Sequence, residues 1–471
     1  MSIALPKGDP YLSREQALLQ VSLFAAVVAS GATSGAAQVG LLLWALSGPL
    51  AALQSLSLFV VVRNFNPQLA AHGALSGMLA WALPLAVSVR FLPLVTAQSL
   101  RVLAPLWLFC AVGALCSVLT SPAAAVSIMK AATLAVVASG VLIASLRLTP
   151  VETRSLGTWL RTLALVVTVL SLLTLVRPGI AHLPNSDLLS GIFSQSQALG
   201  AFLAPFAAAS LAQWILGRQL ATPIMKITWC AIVGCTLLTL SRTAALATML
   251  GLAFAVIGGT AGNKRAGGAD ARRALGLVVL LSLGLLVVEL ATGRVLSNVA
   301  HFALKGSQAS VGEAFEASRG GLVSSQLHNF MTSPWIGHGF GVYADGVFPS
   351  GVKMFAGIPV SAPVEKGVLP TAVLEETGIA GFVSLAFLIY TLVRGVWRRA
   401  SHAVVAMLIA CLFVNLGEAI LLSPGGMGLH IWLLMGWCLR TGQLETNTGP
   451  APVAMAPVPA PRTRPYANLL E

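Results

Sequence analysis

Apolar residues run in blocks along this chain, and short polar connectors separate the blocks. Several apolar segments precede residue 147; Thr158–Val176, Ala198–Gly217, Ala274–Thr292, Gly367–Arg394, His402–Leu422 and Gly428–Leu439 follow it. Most approach the ~18–20 residues that a helix needs to cross about 30 Å of hydrocarbon. None shows the period-2 alternation of a barrel strand, so the pattern predicts membrane-spanning helices.

Two blocks are expected to divide, the first because it is too long for one ordinary span and the second because about twelve spans with both termini inside require one more division. As a single helix Ile227–Ile257 would be about 46 Å long at ~1.5 Å per residue. Folding it into a hairpin puts Ser241-Arg242-Thr243 at the turn, and Arg242 is the only charged residue in the run. The second, Val39–Val62, is expected to split at Ser47-Gly48-Pro49. The expected total is about twelve spans with both termini inside. The domain reading is a leader over 1–16, membrane helices over 17–292, one large hydrophilic loop over 293–366, membrane helices over 367–442, and a disordered Pro/Ala-rich tail over 443–471. The loop is expected to hold a short helix, Val311–Phe330.

Composition agrees with this all-α polytopic membrane reading. The chain is 56% hydrophobic and 9% charged, with a mean hydropathy of +0.86, whereas soluble domains carry about 25% charged residues. The net charge of +13 does not indicate nucleic acid, because the basic residues gather in short connectors such as Lys264, Arg265, Arg272 and Arg273. Such clusters mark cytoplasmic loops. They place the Arg177–Gln197 loop, the Ser241–Thr243 turn and the 293–366 loop outside. The six cysteines all fall in predicted spans, which suggests neither a disulfide framework nor a zinc site.

Candidate chemistry concentrates on the outer face. Arg242 sits at an apolar turn, and Arg319 in the large loop within EASRGGLV. A guanidinium fork fits phosphate oxygens bidentately and stays charged at any physiological pH. The alternative is that each arginine pairs with a carboxylate such as Glu313, Glu316 or Asp345; Arg242 has no such acid nearby in sequence. His338 lies on a Gly-rich turn and is a candidate base, with His328 as support; either can equally be a loop hydrogen-bonder. The loop histidines lack metal-ligand spacing, and no cofactor is expected. Glu365 and Lys366 lie where the loop meets the membrane, and Glu375 and Glu376 lie about two turns into the next helix. Acids at membrane depth are functional candidates; the bland reading of Glu376 is a helix tether before Gly378.

The strings GIFSQSQALGAF (191–202), LSRTAAL (240–246), Arg319 upstream of SPWIGHGFG (333–341), and LEETGIAGF (374–382) together resemble the bacterial O-antigen ligase and O-antigen (exopolysaccharide) polymerase superfamily over roughly residues 190–395. The resemblance implies a GT-C-like fold in the bacterial inner membrane. It implies a glycosyltransferase of polysaccharide biosynthesis, working without metal on undecaprenyl-pyrophosphate-linked glycan at the periplasmic face. Partners would be that lipid-linked donor, an acceptor glycan, the bilayer and a chain-length regulator. Pyrophosphate-binding arginines of the family would map onto Arg242 and Arg319, and Glu365 or His338 would serve the acceptor, with Lys366 and Glu376 in support. Ligases carry a His-Asn pair where this chain has Gly367-Val368. That departure tilts the reading toward a polymerase. The rival class is a transporter or flippase of lipid-linked glycan, which should show two related halves and polar, discontinuous helices at mid-membrane.

Overall fold

The structure, a computed structural model, describes residues 13–70, 74–182, 188–216, 222–262, 320–342, 344, 354–355, 358–359, 367–397 and 399–447. Apart from a two-residue antiparallel ladder, Met354–Phe355 with Ile358–Pro359, it is built of helices. Five of them are long and apolar enough to cross a membrane, namely Ala97–Thr120, Ala124–Leu146, Pro150–Val176, Ser196–Leu216 and Leu369–Val396, and shorter apolar helices accompany them.

The first half comprises α1 (Arg14–Ala29), α2 (Gly31–Ala45), α3 (Pro49–Arg63), α4 (Ala74–Phe91), α5 (Ala97–Thr120), α6 (Ala124–Leu146) and α7 (Pro150–Leu173). α1 begins inside the span expected of the polar leader, because Ser13 caps it and accepts the Gln16 N–H. The Val39–Val62 block does split at Ser47-Gly48-Pro49, with Pro49 opening α3. Pro tolerates that first position because its missing N–H would have no helical partner there. α7 starts on a capping box: the Thr149 N–H donates to Glu152 Oε2 at 2.8 Å, and the Glu152 N–H donates to Thr149 Oγ1 at 3.3 Å.

A four-residue turn of helix, α8 (Pro178–Ala181), leads to α9 (Ser196–Leu216), α10 (Pro223–Leu238) and α11 (Arg242–Gly262). The expected hairpin is present, turning between Leu238 and Arg242. The second half comprises α12 (Gly321–Thr332), α13 (Leu369–Val396), α14 (His402–Phe413) and α15 (Met427–Asn447). α12 occupies the C-terminal part of the helix expected at Val311–Phe330 and runs two residues beyond it; residues 311–319 lie outside the described residues, as does Ala274–Thr292.

One expectation is corrected. His402–Leu422 is not one helix: α14 stops at Phe413 and short 3-10 turns follow. Asn415 ends it, because its amide donates to the Cys411 carbonyl at 2.9 Å while its Oδ1 accepts the Leu421 N–H at 2.7 Å. The side chain thus fills the place of the next helical turn.

Several buried hydroxyls within the apolar bundle are satisfied locally, as when Ser145, Thr162 and Thr168 each donate to the carbonyl four residues back. Small residues bring helices close: a Cβ on Gly140 of α6 would fall 2.5 Å from the Ser88 Cα of α4. Contacts between helix ends fix relative direction. Gly200, near the start of α9, abuts Ser241 and Thr239 at the α10–α11 turn, and Gly191, before α9, abuts Ser171 near the end of α7. Gly417, beyond α14, abuts Thr243. The end of α7, the start of α9, the α10–α11 turn and the region after α14 therefore share one end of the bundle. All six thiols are free; Cys230 is exposed and the other five are buried as packing residues.

Candidate functional site

The site grows out of a break in a helix. Gly378, at φ +62° and ψ −160°, interrupts α13. A break strips partners from backbone groups on both sides, and in an apolar bundle each orphan costs several kcal/mol. The segment 333–341 supplies those partners. The His338 and Gly339 N–H groups donate to the Glu375 and Glu376 carbonyls at 3.0 and 2.8 Å. In the other direction the Ile379 and Ala380 N–H groups donate to the Pro334 and Trp335 carbonyls at 2.8 and 3.2 Å. SPWIGHGFG and LEETGIAGF, distant in sequence, thus form one hydrogen-bonded clasp.

The glycines at its centre have a specific task. Gly337 and Gly378 both have positive φ, +64° and +62°. A Cβ on Gly337 would lie 2.4 Å from the Glu376 carbonyl carbon, and one on Gly378 would lie 2.4 Å from that of Trp335. Two main chains touch here, with no room for a side chain on either.

Further contacts hold the clasp against the bundle. The Phe340 N–H donates to Ser117 Oγ of α5 at 2.8 Å. The Lys130 ammonium of α6 donates to the Gly341 carbonyl. From α12 the Asn329 amide donates to Glu375 Oε1 at 2.8 Å. Glu375 and Glu376 are both buried. Glu375 thereby tethers α13 to α12.

His338 is half-buried, with Nε2 2.9 Å from the Asn329 carbonyl and 2.9 Å from Thr332 Oγ1. A carbonyl can only accept, so Nε2 carries the proton and Nδ1 is the ring atom able to take one. His328 is exposed on α12. Glu365, Lys366 and Arg319 lie outside the described residues.

Arg242 is the first residue of α11 and is half-buried. Its placement depends on a tight turn: Leu240 adopts φ +49°, and Ser241 caps the helix, its Oγ accepting the Ala244 N–H at 3.3 Å. A cation at a helix N-terminus opposes the helix dipole, which a bound anion would offset. The clasp lies at the same end of the bundle as this turn. α13 and α14 are joined by a short connector and run antiparallel, and the far end of α14 reaches Thr243. The structure thus brings Arg242, His338, Glu375 and Glu376 to one end.

Lys130, Ser117 and Asn329 escaped the sequence reading. Lys130 had a readable signal, since it is the sole charge within α6. Ser117 and Asn329 had none, because ordinary polar residues gain meaning only from what they touch. Compared with models of known protein families and with curated proteins, the chain matches none.

Proposed function

We propose that this protein is an inner-membrane glycosyltransferase that transfers or polymerises undecaprenyl-pyrophosphate-linked glycan at the periplasmic face, polymerisation being the favoured mode. In this reading the chain has about twelve spans in a GT-C-like arrangement. The clasp carries the proposal: it joins two of the four strings on which the family resemblance rests, and it anchors the loop at the end of the bundle that presents Arg242. An acceptor hydroxyl attacks the anomeric carbon with inversion; the C–O bond to pyrophosphate breaks and pyrophosphate leaves with the electron pair. Arg242 and Arg319 stabilise the charge growing on that leaving group, a preorganised electrostatic role. Glu365 takes the acceptor proton. His338, with Nε2 held by Asn329, orients the loop, and its Nδ1 is the alternative proton acceptor.

A broken helix is also the mark of a transporter or flippase, and this observation gives that second reading its weight. Two features favour the enzyme. The break lies about a third of the way along α13, roughly 14 Å from its start at ~1.5 Å per residue, and not at its middle. Its freed carbonyls bond to the loop, where a transporter would turn them toward an ion.

Arg242→Ala separates the readings. The expected result is normal protein level, lost polymer, and lipid-linked repeat accumulating on the periplasmic side. Arg242→Lys should retain part of the activity, because it keeps the charge and loses the fork. Repeat trapped on the cytoplasmic side would instead indicate a flippase. Wild-type polymer yield in Arg242→Ala would remove the arginine from the chemistry.

A further inference from the structure

At the end of the bundle that carries Arg242, α1 and α7 part to leave an apolar groove of about 490 Å³. Val21, Phe24 and Val28 of α1 and Leu170 and Leu173 of α7 line it, together with Arg177 just beyond the C-terminal end of α7. Phe24 and Phe65 pack edge to face at 5.3 Å in the lining. Among the described residues that line it none is acidic. Val28 and Leu173 are 43% and 59% exposed, and Val176 beside the arginine is 82% exposed. On a membrane helix such side chains face acyl chains, and a groove between two helices can hold one of those chains in a fixed place.

Arg177 is held at the groove mouth by its backbone. Its N–H donates to the Thr174 carbonyl at 2.8 Å, and its own carbonyl accepts the Ile180 and Ala181 N–H groups at 2.8 and 3.1 Å. The side chain itself is exposed. An apolar trough ending in a guanidinium matches an amphiphile with a long chain and an anionic head. Soluble phosphate would leave the trough empty, and an uncharged lipid would leave the guanidinium unused.

We propose that the groove between α1 and α7 seats one chain of a phosphate-bearing lipid, with its phosphate on Arg177. The site is separate from the clasp and does not depend on the proposed activity. Ile192 lines the groove, whereas Gly200, about one turn into α9, is what abuts the Arg242 turn.

The test uses purified, delipidated full-length protein in detergent, titrated with dioleoyl phosphatidylglycerol and followed by native mass spectrometry. Dioleoylglycerol tests the chain alone and glycerol phosphate the head alone. Wild type should bind the phospholipid roughly five- to tenfold more tightly than dioleoylglycerol, the range expected for one well-placed arginine. Arg177→Gln should erase that preference while leaving dioleoylglycerol binding unchanged. Because Arg177 is exposed, this variant should fold, and its melting temperature should match wild type. Ala25→Trp, which fills the groove, should weaken both lipids; Val28→Gln, a milder change at the exposed rim, should do the same should the tryptophan prevent folding. Undiminished phospholipid binding in Arg177→Gln would overturn the proposal. So would saturable binding of glycerol phosphate at wild-type affinity in the groove variants, which would mark a free-phosphate site.

Discussion

At the residue scale, the clasp turns on two glycines and one histidine. Gly378→Ala and Gly337→Ala should each destabilise the protein by more than the ~1 kcal/mol that a positive φ alone costs a non-glycine residue, because the new methyl would strike a facing main chain. Gly234→Ala in α10 is the contrasting control: nothing lies within 4 Å of the added atom, and alanine should stabilise that helix by ~1 kcal/mol. Thermal unfolding in one detergent compares all three; equal melting temperatures would show that the clasp contributes nothing to stability. His338 is tested through its two nitrogens. Glutamine can place an amide N–H near the position of Nε2 and keep the bond to the Asn329 carbonyl. His338→Gln should therefore keep protein level and most of the polymer yield, while His338→Ala should lose both. A stable His338→Gln protein that makes no polymer would transfer the proton-accepting role to Nδ1. Arg242 and the histidine were legible in the sequence because a charge in an apolar run and a titratable group on a glycine turn are locally unusual. Their partners were not, since Asn329 and Ser117 are ordinary polar residues whose importance comes from long-range contact.

At the element scale, length and apolarity carried most of the information. The Ile227–Ile257 hairpin followed from a run too long for one span, and the break before Pro49 followed from Ser-Gly-Pro. The break at Gly378 was not legible, because an isolated glycine inside a helical pattern is usually tolerated. It becomes a break only when another main chain offers replacement hydrogen bonds. The early end of α14 was missed for a related reason: Asn415 caps the helix through its side chain, inside a sequence that continues to look apolar. α15 offers a test of how the interior treats an isolated polar ring. His430 is fully buried and stacks on Phe202 with centroids 4.3 Å apart. Among the described residues neither of its ring nitrogens has a hydrogen-bond partner. It therefore serves as an aromatic plate, and a buried polar atom left unpaired costs ~1–3 kcal/mol. His430→Phe should fold at wild-type level or raise the melting temperature, whereas His430→Ala should lower it by opening a cavity against Phe202 and Phe206. A loss of stability in the phenylalanine variant as large as in the alanine variant would mean that a nitrogen is being used.

For the whole molecule, connector charge and helix-end contacts sort the helix ends into the same two groups. The positive-inside bias predicts that the group holding Arg147 and Arg154 faces inside. Helix-end contacts, which owe nothing to charge, sort the ends in the same way. The Arg440 guanidinium donates to the Leu148 carbonyl at 2.7 Å, and the Ser401 N–H donates to Glu445 Oε2 at 2.6 Å. These contacts gather the basic connectors after α6 and α13 and the Arg440 end of α15 at one end of the bundle. The α5–α6 turn lies at the opposite end, where Gly339 abuts Ser121 and the clasp is anchored. The expectation is that Pro122→Cys, exposed on that turn, reacts with a membrane-impermeant maleimide in cells whose outer membrane alone is permeable. Arg154→Cys, exposed near the start of α7, should react only after the inner membrane is broken. Both are read in a background with the six native cysteines replaced, because Cys230 is itself exposed. The two positions must differ, since they lie at opposite ends of helices joined through α6. If Pro122→Cys is the one that stays protected, the clasp and Arg242 face the cytoplasm. A periplasmic transfer reaction would then have no site, and the lipid-pyrophosphate reading would fall with the orientation.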